Sequence, residues 1–129
     1  MLDHFGFIVR DLKASRRFYE AALGALGLVV VEEQPSAFIM AASKIDFIPF
    51  VYIGQGRPSF WTKESTAGTS PTHFGFRART KDMVDAFYRA GLAAGGRDNG
   101  APGPRRPGYY AAYLLDPDNN NIEAGLREG

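Results

Sequence analysis

A chain of 129 residues, 45% hydrophobic and 22% charged, is long enough for one domain with a substantial core. Its net charge of +1 excludes a strong pull toward nucleic acid or an anionic membrane. The absence of cysteine excludes disulfides, thiolate metal sites and a cysteine nucleophile, and with neither a secretory leader pattern nor a membrane-length apolar run, a cytoplasmic protein is expected.

Residues 2–9 read as a strand, with His4, Gly6 and Ile8 on one face and Phe5, Phe7 and Val9 on the other. Asp11 is placed to cap a helix carrying Leu12, Ser15, Phe18, Tyr19, Ala22, Leu23 and Leu26 at helical spacing, ending near Gly24 or Gly27. Residues 28–32 read as a strand, and residues 36–42 and 47–53 as extended segments. Pro49 suggests that the second of these is an edge or bulged strand. Gly54-Gln55-Gly56 reads as a turn, residues 59–63 as another strand, and the small polar residues 64–72 as a linker. A strand is expected over 73–78. Thr80 then caps a helix with Met83, Val84, Phe87, Tyr88 and Leu92 on one side, closed by Gly95-Gly96. Residues 97–108 hold three glycines and three prolines around Arg105-Arg106 and read as a loop over a site. Residues 109–115 and 121–126 are the last strands, joined by the turn Asp116-Pro117-Asp118-Asn119.

The first strand has a twin. His4-Phe5-Gly6-Phe7 recurs as His73-Phe74-Gly75-Phe76, and the same offset of 69 aligns Arg10 with Arg79, Phe18-Tyr19 with Phe87-Tyr88, and Gly27 with Gly96. So many matches at one offset indicate two copies of one unit. Each copy reads as strand, helix and about three strands, with Phe5/Phe7 and Phe74/Phe76 under the helices and Phe18/Tyr19 and Phe87/Tyr88 as helix core. The histidines then point the other way, and an approximate two-fold would bring His4 and His73 toward a common space. In the last strand Glu123 shares a face with Asn121 and Gly125. Two imidazoles and one carboxylate suit a divalent cation with open coordination positions. The competing readings are a structural role for the histidines and a solvated Glu123.

These residues, taken together, resemble the vicinal oxygen chelate superfamily, which includes glyoxalase I, bleomycin-resistance proteins and extradiol dioxygenases. The resemblance rests on Asp3-His4-Phe5-Gly6-Phe7, Asp11-Leu12, Phe18-Tyr19, His73-Phe74-Gly75-Phe76 and Asp116-Pro117-Asp118-Asn119-Asn120-Asn121-Ile122-Glu123, and covers nearly the whole chain. Phe60-Trp61 and residues 96–103 are similar to small glyoxalase-like proteins of unassigned substrate. It implies an α+β fold within one domain, 1–129, of two tandem βαβββ modules (about 1–66 and 67–129). These form a cupped eight-stranded mixed sheet with helices on its outer face. It further implies a divalent metal (Zn, Ni, Fe or Mn) on His4, His73 and Glu123, with Glu123 also able to serve as base, and a homodimer.

The sequence departs from that pattern at Asn119, where the family has a turn glycine, and over residues 34–50, which are longer than expected. Aligning Phe60-Trp61 with Ile122-Glu123 puts Trp61 where glyoxalase I has a second carboxylate. Phe60 and Trp61 become expected walls of a substrate cavity, and Arg105 and Arg106 candidates for an anionic substrate group, against the plainer reading of a solvated loop. With both histidines used as ligands, a further acid or base would come from tyrosine. Tyr109 and Tyr113 share one face and Tyr110 takes the other, with alternation alone leaving open which face lines the cavity. Two functions compete: a metal-dependent lyase, isomerase or oxygenase acting on a small chelating molecule, and a metal-free small-molecule or drug-binding protein. A ligand-free structural dimer leaves the glycines beside the histidines unexplained.

Overall fold

The computed structural model describes residues 1–69 and 71–128; Ser70 of the expected linker lies outside them. The elements are β1 (His4–Val9), α1 (Leu12–Gly24), β2 (Val29–Gln34), β3 (Ala37–Ala41), β4 (Phe50–Gln55), β5 (His73–Arg77), α2 (Lys81–Ala93), β6 (Arg97–Arg106), β7 (Tyr109–Leu115) and β8 (Asn121–Arg127). The eight strands are hydrogen-bonded as two mixed four-stranded sheets, ordered β1-β4-β3-β2 and β5-β8-β7-β6. The order is the same in both, as a duplicated βαβββ unit requires. In each, the first strand runs parallel to the last and the other pairs are antiparallel.

Both helices start where the caps predict. The Asp11 carboxylate accepts from the Ala14 amide at 3.1 Å, and the Thr80 hydroxyl accepts from the Met83 amide at 3.1 Å. Chain reversal after α1 uses Gly27 at φ 94°, a left-handed conformation that glycine adopts without strain.

Three expectations are corrected. Residues 97–106 form a strand, not a loop. β6 is the outer strand of its sheet, so it pairs on one side only, and its ladder to β7 slips at three places. Prolines and glycines are tolerated there because half the backbone groups need no partner strand. Residues 59–63 form turns rather than a strand, since β4 already occupies the place beside β1. β4 is an inner strand, and it starts at Phe50; Pro49 immediately precedes it, so no ladder donor is lost.

One apolar core serves both modules. Phe18, Tyr19, Leu23, Phe38, Ile53, Val84, Phe87, Leu114 and Ile122 are all fully buried. Each such side chain contributes about 1.5–3 kcal/mol. Phe74 stacks on Phe5 and Phe7, with ring centroids 4.7 and 5.0 Å apart. The phenylalanine faces of β1 and β5 therefore meet, and by alternation His4 and His73 project away from each other. The helices also touch directly. A Cβ on Gly96 would stand 2.5 Å from the Phe18 ring and 2.8 Å from the Gly91 carbonyl oxygen. That carbonyl accepts the Gly96 amide at 2.8 Å, so it cannot retreat without losing a bond. Gly96→Ala is expected to lower unfolding free energy by about 1–3 kcal/mol in a urea titration.

Candidate functional site

The β5–β8 register places Gly75 opposite Glu123 and His73 opposite Asn121. Gly75 carries no side chain, so the His73 ring can lean across to Glu123. Nε2 of His73 lies 3.1 Å from Oε2 of Glu123. Nδ1 lies 2.9 Å from the Asn121 backbone carbonyl, which can only accept. The ring thus has an acceptor on each side, and the space between Nε2 and the carboxylate oxygen is one that a proton or a cation can occupy. The Asn121 side-chain nitrogen is also 3.1 Å from Nδ1.

The other carboxylate oxygen, Oε1, accepts a hydrogen bond from the Tyr109 hydroxyl. Gly125 makes this possible: a Cβ there would overlap the Tyr109 hydroxyl, at 2.1 Å. Tyr109, Tyr113 and Glu123 thus share a face, which settles the alternation left open by sequence. Tyr110 points to the helix side, where its hydroxyl donates to Asp85 at 2.8 Å. Burial and the hydrogen bond to Glu123 push the Tyr109 phenol up to about 12. Burial and the Glu123 charge also raise Tyr113. Both phenols keep their protons at neutral pH and are donors, not bases.

Glu123 is only 7% exposed. It lies in a cleft of about 500 Å³ lined also by His73, Gly75, Arg77, Tyr109 and Arg127. Arg77 and Arg127 were not among the expected site residues. Of the two arginines that were, Arg105 lies over the Tyr113 ring, 5.1 Å from its centroid, and donates to the Ala101 and Ala111 carbonyls. Arg106 lies over the Tyr109 ring, 5.2 Å from its centroid.

His4 lines a separate, more apolar cleft of about 520 Å³ with Ile39, Phe50, Tyr52 and Phe60. Its Nδ1 contacts the Asp3 carboxylate at 2.7 Å and its ring stacks flat on Phe50, 4.5 Å between centroids. A carboxylate on Nδ1 is the arrangement that orients a metal-binding imidazole through Nε2. Among the described residues, no three His, Asp or Glu side chains of one chain come close enough to hold one ion. His73 and Glu123 are brought together; His4 is not brought to them.

The internal symmetry also reads differently from the sequence alignment. β4 is the counterpart of β8, and Tyr52, opposite Gly6, takes the place of Glu123, opposite Gly75. Trp61 does not; it lies near Arg57, whose guanidinium is 5.5 Å from the ring centroid. The missed signal is the glycine shared by Val51-Tyr52-Ile53-Gly54 and Ile122-Glu123-Ala124-Gly125.

The turn before β8 fixes where Glu123 sits. Asp116 is fully buried. Its Oδ1 accepts the amides of Asp118 and Asn120 at 2.9 and 2.8 Å. Its Oδ2 accepts the Asn120 side chain at 2.9 Å and the Tyr19 hydroxyl of α1. Arg10 donates to Asp118 at 2.5 Å. The turn residues are therefore also a polar bolt between the modules. Asn119 supplies the left-handed residue, φ 66°, where the family has glycine.

Residues 1–124 match the Glyoxalase/Bleomycin resistance protein/Dioxygenase superfamily. The chain is 30% identical to virulence protein STM3117 of Salmonella typhimurium, an alignment covering 95% of this chain and 81% of that protein. A glyoxalase/bleomycin resistance protein from Albidiferax ferrireducens superposes with a TM-score of 0.74 at 32% identity, covering 98% of both chains. Lactoylglutathione lyase from Agrobacterium tumefaciens shares the fold, with a TM-score of 0.68 at 20% identity over 98% of this chain and 92% of that one. With a family match spanning nearly every residue and both modules in their expected topology, the chain belongs to the Glyoxalase/Bleomycin resistance protein/Dioxygenase superfamily.

Proposed function

We propose that the protein is a metal-dependent enzyme acting on a small oxygenated molecule, with His73 and Glu123 of one subunit and His4 of a second copy holding the ion. One observation carries this reading: His73 Nε2 and Glu123 Oε2 stand 3.1 Å apart. Two lone pairs so placed repel unless a proton or a cation lies between them. Donor atoms about 2.1 Å from one ion and at right angles to each other stand about 3 Å apart, so the pair fits two neighbouring ligands. A divalent ion there supplies Lewis acidity toward a bound substrate oxygen.

This chain's own groups do the rest. Tyr109 holds Oε1 of Glu123 and so leaves Oε2 as the ligating and proton-accepting atom. Glu123 is the one carboxylate lining the cleft among the described residues. Tyr113, protonated, can donate to a developing oxyanion.

A dimer is part of the proposal. The histidine faces diverge within one chain, and His4 is flanked by the exposed apolar residues Leu2 (58%) and Phe60 (78%), as a subunit contact would need. Protein purified without chelator is expected to hold a stoichiometric divalent ion by elemental analysis. His4→Ala and His73→Ala are each expected to lose it. A refolded equimolar mixture of the two should regain about a quarter of the sites, because half the dimers are mixed and each mixed dimer has one intact site. No ion in the native protein and none on titration would reject the metal; no recovery on mixing would reject the shared site.

A metal-free binding protein is the second reading. It is favoured by the aromatic cleft around His4 and by Tyr52 where a second carboxylate could stand. It predicts that ligand affinity survives His4→Ala.

A further inference from the structure

We infer that the substrate carries an anionic group, carboxylate or phosphate, which Arg77 and Arg127 bind at the end of the cleft away from His73. The inference rests on the reading that His73 and Glu123 mark the reactive end. Arg77 follows His73 by four residues on β5, and Arg127 follows Glu123 by four on β8. Strand geometry then puts their Cα atoms about 13 Å from the reactive pair and, by alternation, on the same face. Arg77 pairs across to Gly125, and Arg127 to Tyr109. The floor between the two guanidinium groups is therefore bare backbone and one phenol.

Among the described residues, no carboxylate lies within ion-pair distance of Arg77, Arg106 or Arg127. Glu123 is committed to Tyr109 and His73, and Glu128 pairs with Lys81 at 3.7 Å. Arg105 differs: its guanidinium is taken by two backbone carbonyls. Arg106 and Arg127 both lie over the Tyr109 ring, at 5.2 and 4.2 Å, a contact that orients a guanidinium and leaves its N–H edge open. Two like charges lining one end of the cleft, with Arg106 beside Arg127 over Tyr109, repel one another until an anion arrives. Guanidinium groups pair with carboxylate or phosphate oxygens through two parallel hydrogen bonds. A molecule spanning the cleft would place neighbouring oxygens at Glu123 and its anionic group several bonds away.

The test uses full-length, metal-free protein at constant ionic strength, titrated calorimetrically with inorganic phosphate and, separately, with succinate. Saturable binding of at least one is expected. The Arg77→Gln/Arg127→Gln double variant should weaken it at least about tenfold. Arg89→Gln, an exposed arginine on α2, should leave it unchanged. Tighter phosphate assigns a phosphate group, and tighter succinate a carboxylate. Absence of saturable binding by either anion, or equal affinity in the double variant, overturns the inference. All these arginines are exposed, so folding should survive; the single variant Arg127→Gln gives the same reading if the double variant does not fold. Because no metal is present, failure here is separate from failure of the metal reading, which elemental analysis decides.

Discussion

Glu123→Gln is expected to abolish stoichiometric divalent-metal binding and, with it, turnover. On the proposed reading the carboxylate would supply one ligand atom and most of the negative charge of the site, and an amide of the same shape would carry no such charge. The comparison that gives this meaning is Tyr109→Phe. Tyr109 touches Glu123 only through its hydroxyl, so its loss should leave the ligand in place but badly oriented. Loss of such an orienting partner typically costs about 10–100-fold in metal affinity. The expected order is therefore wild type, Tyr109→Phe, Glu123→Gln, measured by competition with a fluorescent chelator. Equal metal affinity in all three would mean that the ion, if bound, sits elsewhere. The phenol adds a pH expectation. Its folded value of about 12 lies above its ordinary value near 10, so its contribution to stability is complete below about pH 10 and is lost as pH rises through the folded value. Metal affinity should accordingly show no step from Tyr109 between pH 7 and 9.

Asp116→Ala is expected to destabilise the fold by about 3–5 kcal/mol in urea denaturation, the largest effect of any single substitution away from the apolar core. The carboxylate has no solvent exposure and accepts from two amides, the Asn120 side chain and the Tyr19 hydroxyl. Removing it leaves those donors buried without partners. Tyr19→Phe should cost less, about 1.5–3 kcal/mol, because Asp116 keeps its other donors. A double-mutant cycle between residues 19 and 116 should show coupling, since Tyr19 belongs to α1 and Asp116 to the turn that starts β8. Simple additivity would mean that the bolt does not join the modules.

Much of the architecture was legible because the duplication doubles every local signal. Asp11 and Thr80 announce the helices, alternation separates the phenylalanines from the histidines, and Asn119 marks a turn. The first-module counterpart of Glu123 reads as Trp61 in the sequence and is Tyr52 in the structure, for a physical reason. Two aromatic segments, 50–55 and 59–63, both have strand composition, and only pairing against His4–Val9 selects the first. β6 was hidden because an outer strand tolerates the prolines and glycines that signal a loop elsewhere. Arg77 and Arg127 were invisible as site residues, since an exposed arginine acquires meaning only from the absence of a partner nearby.

The amino-acid order alone determined that two equivalent units exist, that each presents a histidine opposite a phenylalanine, and that one carboxylate closes the second unit. Period-two alternation and a constant repeat offset are local properties and need no neighbours to be read. Only the tertiary structure decided which of these groups meet. The stacking of Phe5 and Phe7 on Phe74 turns the two histidine faces outward, so His73 reaches Glu123 across the bare backbone of Gly75 while His4 faces a cleft of its own. Which faces pack inward depends on how two apolar surfaces exclude water together, and that is a property of the assembled sheets rather than of either strand.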